Sequence, residues 1–150
     1  MQPKSFSQRF TQGFSHQLIW GIRSFTDPLF YIFLTLGLVA WFIPQPGDRL
    51  PMDWLLGKAG IEEFFFRFIL QEMLERLLQR RGLVGGVSQA NALSSLAFSC
   101  MHLFRQPLFW AALTFFPSLL FGVAWSRYRS IFSTTLIHFS YNMALFYRVF

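Results

Sequence analysis

Four long stretches without a single Asp, Glu, Lys or Arg constrain this chain more than any other feature. They cover residues 28–47, 82–101, 106–126 and 130–147, with lengths of 20, 20, 21 and 18 in a chain of 150. A membrane-spanning helix needs ~20 mostly apolar residues, with a range of about 17–25. The rest of the composition agrees. Only 13% of the residues are charged, against about 25% in soluble domains. The 21 phenylalanines exceed what a soluble core of this size hides, because a domain of this length buries only ~70% of its unfolded surface. So high an apolar content excludes disorder, and a lone cysteine, Cys100, excludes a disulfide scaffold. The sequence predicts an all-α fold. We read a polytopic transmembrane helix bundle with about five membrane-embedded helices and an N-terminal amphipathic helix, forming a single membrane domain over residues 1–150.

The net charge of +6 then points to the lipid bilayer, not to nucleic acid, because basic residues collect at the ends of spans and face anionic lipid. No cleavable signal peptide is expected. The first apolar run begins near Pro28, too far in and too long, with no small-residue cleavage site after it.

In residues 1–26, Phe6, Phe10, Phe14, Leu18 and Ile22 recur at every fourth position, with Lys4, Arg9 and Arg23 nearby. This spacing predicts an amphipathic helix lying on the membrane surface. Asp27-Pro28 is a helix start, a capping residue followed by proline at the first helical position. A helix over 28–43 should end at Pro44-Gln45-Pro46-Gly47-Asp48, which opens a loop to about Lys58. A second helix is expected over 60–80. Its early part mixes Glu62, Glu63 and Arg67 with aromatic residues. Its later part (Glu72, Glu75, Arg76, Arg80, Arg81) reads as an amphipathic exit into water. Gly82, Gly85 and Gly86 break the chain before a helix over 88–104, whose small residues Ala90, Ala92, Ser94, Ser95, Ala97 and Ser99 suit close helix contacts. Helices over 108–125, with a kink at Pro117, and 131–146 complete the bundle. With a cytoplasmic N-terminus, eight Lys or Arg residues (Lys4, Arg9, Arg23, Arg76, Arg80, Arg81, Arg127, Arg129) fall inside and four (Arg49, Lys58, Arg105, Arg148) outside. That balance favours N-in, C-out.

Ionisable groups inside a bilayer cost about 2.5–3.5 kcal/mol each, so those in the apolar helices need a reason. Glu63 and Arg67 stand four residues apart and share a helix face. Glu62 lies about 100° further round and is free to meet another partner. Solvation at the water boundary is the plainer reading of all three, but the aromatic run Phe64-Phe65-Phe66 between them argues for burial. His102 ends an apolar helix at Phe98-Ser99-Cys100-Met101-His102. By itself it reads as a helix-interface residue. His138 and Asn142 share a face of the last helix, where a helix-to-helix hydrogen bond is the plainer reading. Depth links the sets, because with the N-terminus inside all of them fall near the outer half of the bilayer. Convergence of carboxylates, imidazoles and an amide there makes a candidate catalytic site.

Glu-Glu-x-x-x-Arg (Glu62, Glu63, Arg67), Phe-x-x-x-His (Phe98, His102) and His-x-x-x-Asn (His138, Asn142), on separate helices in this order, resemble the CPBP family of intramembrane proteases. That family includes the CAAX prenyl endopeptidases and bacteriocin-processing or self-immunity proteins. The resemblance covers about residues 60–146, a protease-like core. It implies a glutamic-type endopeptidase in which Glu62 is the general base and His102 its partner. His138 and Asn142 would stabilise the oxyanion, and Glu63 and Arg67 would hold the motif in shape. The chemistry agrees: a carboxylate and an imidazole can deprotonate water as it attacks an amide. A carboxylate not paired with Arg67 is the better base, which favours Glu62 over Glu63. No cofactor is expected. Two histidines and a glutamate would suit zinc with an open position, but the His-Glu-x-x-His helix is lacking and asparagine is a poor zinc ligand.

The expected partner is a membrane-anchored protein or peptide, and a site near the outer face suits a C-terminal sorting or anchor signal better than a prenylated CAAX tail. Small bacterial relatives of that kind imply an integral protein of the bacterial inner membrane. Two other classes remain open. One is a non-catalytic immunity or scaffold protein of the same fold. The other is a small proton-coupled transporter, for which no internal repeat speaks.

Overall fold

The structure, a computed structural model, describes residues 6–43, 50–78 and 86–147, with side chains from Ser15 onward. All regular structure among the described residues is helical. Helix α1 (Phe6–Ser24) is followed by α2 (Pro28–Leu36), which tightens into a 3₁₀ segment, Gly37–Phe42. One helical rod then runs through three geometries: α3 (Met52–Glu63), a π-helical segment (Phe64–Gln71) and α4 (Glu72–Leu77). Helices α5 (Gln89–His102), α6 (Leu108–Leu113), α7 (Phe115–Tyr128) and α8 (Ile131–Phe146) follow.

Local chemistry sets several of these ends. Asp27 caps α2 by accepting a hydrogen bond from Leu29 N, with Pro28 at the first position. Ser88 caps α5 through Asn91 N. The break between α6 and α7 falls at Thr114, three residues before Pro117. A proline ring clashes with the carbonyl four residues earlier, here that of Leu113, so the helix yields there and not at Pro117 itself.

Helix α8 lies at the centre, packed against α1, α2, the 3₁₀ segment, α3, the π segment and α7. Phe30, Phe121, Ala124, Tyr128 and Ile137 form the apolar core, with Phe33, Leu34 and Tyr141 against it. Small residues of α5 allow close contact, as their spacing predicts. A Cβ on Gly122 of α7 would sit 1.8 Å from Asn91 Oδ1 of α5. Hydroxyls tie the helices further: Ser94 Oγ donates to Phe66 O at 2.6 Å and Ser99 Oγ to Ala111 O at 2.6 Å. Large apolar side chains such as Phe42, Phe104, Leu108 and Phe109 are exposed, a surface that hydrocarbon accommodates and water does not.

Three expectations need correction. The second helix begins at Met52, not near residue 60, so Lys58 is helical. Glu75 is not solvated: it is buried and paired with Arg129. The uncharged runs are not all span-length helices either. Among the described residues, Leu108–Tyr128 is the one helix long and apolar enough to cross a membrane, and Ser15–Ser24 with Pro28–Phe42 would make another only across an 81° bend. The shortfall is physical. Helix α5 has 14 residues and α8 has 16, about 21 and 24 Å at ~1.5 Å per residue, and the α3–α4 rod carries charge. Helix α1 forms in the expected region, and its Ser24 and Gly21 are buried against Ser133 and Ser130 at the start of α8, with Leu18 and Ile22 facing outward. The side chains of Phe6, Phe10 and Phe14, the loop at Pro44–Asp48, Gly82, Gly85, and Lys4, Arg49, Arg80, Arg81 and Arg148 lie outside the described residues, as does the side chain of Arg9.

Candidate active site

Glu62 and Glu63 end α3 where it meets α8. The two helices approach closely at Gly60, where a Cβ would lie 3.7 Å from Thr135 Cγ2. This brings His138, one turn further along α8, between the two carboxylates. Its Nδ1 lies 2.9 Å from Glu63 Oε1, and its Nε2 lies 3.5 Å from Glu62 Oε2. A carboxylate accepts only, so Nδ1–H donates to Glu63 and Nε2 is the nitrogen left facing Glu62. The imidazole is buried, and the Phe121 ring stacks on it at 4.6 Å between centroids.

Glu63 is fully buried. Its other oxygen faces Arg67 Nε at 3.6 Å. Arg67 is also fully buried, and its guanidinium donates to Gln71 Oε1 at 3.2 Å, to Ser118 O at 2.7 Å, and to the hydroxyls of Ser94, Ser95 and Ser118. Burial on this scale excludes the boundary-solvation reading of Glu63 and Arg67. These groups lie along the π-helical segment. Glu63, Arg67 and Gln71 recur every four residues through it and all three are buried, so they stay on one inward face.

Glu62 is not unpaired. Lys58 Nζ contacts its Oε1 at 2.5 Å, which removes the sequence argument that Glu62 is the better base for want of a cation. Its Oε2 is the distinctive atom. It is buried, has no hydrogen-bond partner and faces His138 Nε2. Asn142, one turn beyond His138, likewise holds a buried Nδ2 with no hydrogen-bond partner.

His102 closes α5. Its Nδ1 donates to Phe98 O at 2.9 Å, which leaves Nε2 as the available nitrogen. The Phe98 ring packs against both imidazoles, 4.5 Å from His102 and 5.8 Å from His138. Phe98 therefore acts as the apolar wall joining the second motif to the third. Side-chain contacts of 3.6 Å or less join Glu62, Glu63, Arg67 and His138. Such contacts do not join His102 or Asn142 to them.

A family model described as type II CAAX prenyl endopeptidase Rce1-like matches residues 29–144. The chain belongs to this family. It is therefore a membrane protein of a protease family, and an Rce1-like chain with these buried groups has the outline of a peptidase. No curated protein and no solved structure matches it.

Sequence reasoning missed Lys58, Gln71, Glu75 and Ser118. Lys58 was legible as an i,i+4 partner of Glu62, and Gln71 and Glu75 continue the Glu63–Arg67 spacing. Ser118 carries no such mark, because its role depends on how α7 packs. Among the described residues no three His, Cys, Asp or Glu side chains gather as a metal site.

Proposed function

We propose that this Rce1-like protein is an intramembrane endopeptidase that hydrolyses a peptide bond of a membrane-anchored protein with water activated by Glu62 and His102. The observation that carries the reading is the buried, unpartnered Glu62 Oε2 facing His138 Nε2. A buried polar atom without a hydrogen bond costs about 1–3 kcal/mol, and a reacting group held there offsets that cost. Lys58 occupies Oε1 and leaves Oε2 to take the proton of the attacking water. His102, which shares the Phe98 wall with His138, partners the base. The second unpartnered group, Asn142 Nδ2, supplies a donor for the oxyanion, and His138 Nε2 joins it as a donor in the imidazolium form, since Nδ1–H already donates to Glu63. Such preorganised donors are worth about 2.7–4 kcal/mol each. Glu63 fixes the ring of His138, and Arg67 fixes Glu63.

The wider reading keeps five membrane-embedded helices, the N-terminus in the cytoplasm and a bacterial inner membrane. An outward site then favours a C-terminal sorting or anchor signal over a prenylated CAAX tail. We read the reaction as metal-free; the Nδ1–H of His138 is taken by Glu63, which leaves Nε2 as the one ring nitrogen open to a metal or to a reacting group, and the zinc measurement below decides between them. The specific support for a non-catalytic immunity or scaffold protein is the Lys58–Glu62 pair, since a lysine on the base is also what a retired site would keep.

The test follows a membrane-anchored reporter with a C-terminal sorting tail, beside one with a prenylated CAAX tail, by gel mobility in cells. Processing of either reporter by the wild type, lost in both Glu62→Ala and His102→Ala, supports the peptidase. Unchanged processing in both variants removes it. Stoichiometric zinc in the purified protein, with activity lost on chelation, would replace the metal-free mechanism.

A further inference from the structure

A file of buried polar side chains leads from the candidate site to the far end of the α3–α4 rod. Its members are Glu63, Arg67, Gln71 and Glu75, spaced by four residues and all buried. At ~1.5 Å per residue the twelve-residue separation corresponds to about 18 Å. Each link is directional. Arg67 Nη1 donates to Gln71 Oε1 at 3.2 Å. Gln71 Nε2 donates to Glu75 Oε1 at 3.1 Å, to Gly122 O at 3.0 Å and to Ser126 Oγ at 3.1 Å. Ser126 Oγ in turn donates to Glu75 Oε1 at 3.2 Å.

The far end is closed by Arg129. Its Nη2 contacts Glu75 Oε2 at 2.5 Å and its Nη1 contacts Glu72 Oε2. Arg129 stands at the C-terminal cap of α7 with φ 47° and ψ 33°, the one non-glycine residue with positive φ among those described. A side-chain-bearing residue in that region is strained, and the surrounding structure must over-determine it. Here two ion pairs and the Trp125 ring beneath the guanidinium do so.

We propose that Arg129 is a positioning residue for the Glu63–His138 pair, acting through Glu75, Gln71 and Arg67. The physical step lies at Gln71. A carboxylate can only accept, so Glu75 selects the amide nitrogen of Gln71 and turns the amide oxygen towards Arg67. With Glu75 held by Arg129, Arg67 has a fixed acceptor behind it, and its Nε stays against Glu63. Without Arg129, the buried Glu75 carboxylate seeks another donor. Gln71 keeps its orientation through Gly122 O but loses the fixed Glu75 acceptor, so the amide shifts as a unit and carries Arg67 Nη1, bonded to its Oε1, away from its place against Glu63. The functional consequence rests on the peptidase reading of the site. The geometric consequence, at His138, does not.

The experiment uses the full chain in lipid nanodiscs with ¹⁵N-labelled histidine. The chain has three histidines, His16, His102 and His138, so single His→Gln variants assign every imidazole signal. Arg129→Gly removes the side chain at a backbone conformation that glycine adopts without strain. It is expected to move the His138 Nδ1 resonance and leave His16 in place. With a cleavable reporter it is expected to lower kcat by about 10–100-fold at little changed KM, as misplacement of catalytic groups does. Arg129→Lys restores one cation and is expected to return part of both effects. Ser126→Ala loosens the Gln71–Glu75 link by a single hydroxyl and serves if Arg129→Gly does not fold. Its expected effect is a smaller shift of the same His138 signal. Unmoved His138 resonances in the folded Arg129→Gly protein, or in Ser126→Ala where only that folds, overturn the proposal. If no reporter is cleaved by the wild type, the peptidase reading fails while the resonance measurement still decides the role of Arg129.

Discussion

Replacing Arg67 with methionine removes the group that holds three helical elements to the π segment. The guanidinium is fully buried and bonds Gln71, Ser94, Ser95 and Ser118 while facing Glu63. Methionine fills a similar volume, so the cost is electrostatic. Removing one partner of a buried ion pair strands the other charge and costs about 3–5 kcal/mol. The serines contribute less, because their hydroxyls have other acceptors: Ser94 bonds Phe66 O and Ser95 bonds Asn91 Oδ1. We therefore expect a loss of about 3–5 kcal/mol in Arg67→Met. The double variant Glu63→Gln with Arg67→Met should regain at least about 1 kcal/mol of the summed single losses, because neighbours in one network are not additive. Unfolding in mixed micelles, with denaturing detergent as the variable, measures all three proteins. A loss below about 1 kcal/mol in Arg67→Met, or strict additivity in the cycle, refutes the coupling of Arg67 to Glu63.

Three other outcomes follow from particular contacts. Gly122→Ala places a Cβ on Asn91 and should destabilise the bundle by about 1–3 kcal/mol, read by thermal unfolding. Pairing it with Asn91→Ala should recover much of the loss. Asn142→Ala should lower kcat by roughly 10²–10³ with little change in KM, the cost of one oxyanion donor. Asp27 is held below its ordinary carboxylate value of 3.8, chiefly by its hydrogen bond from Arg127. A depressed folded-state pKa gives stability that is present above the unfolded value and lost as pH falls through the folded one. The acid limb of the stability curve should therefore flatten in Asp27→Asn, and an unchanged limb would show that the pair contributes nothing.

The helix positions were largely legible because apolar runs, proline and capping residues are local signals. Asp27-Pro28, Ser88 and the α8 boundaries all read directly from the chain. The start of α3 was not, because Pro51 and the mixed residues after it resemble a loop until their packing against α8 is known. Span length misled for a related reason. An uncharged run sets what lipid tolerates, while turns and caps set where a helix stops. At the site, Glu63, Arg67 and His138 were marked by four-residue spacing and by the cost of charge among phenylalanines. Two features escaped. His138 lies between both glutamates because of the register between α3 and α8, which no single segment carries. Glu75 looked like a surface residue because its burial depends on Arg129, 54 positions away.

The central claim is that Glu62 takes the proton of the attacking water. Purified protein in proteoliposomes, given quenched anchored peptides with sorting-type and prenylated CAAX tails, measures it by release of fluorescence and by mass of the fragments. Wild-type cleavage at one bond is expected, with kcat for Glu62→Gln at least about 10² lower, the contribution of a general base, and with binding of the uncleaved peptide retained. Cleavage by Glu62→Gln at the wild-type rate would contradict it.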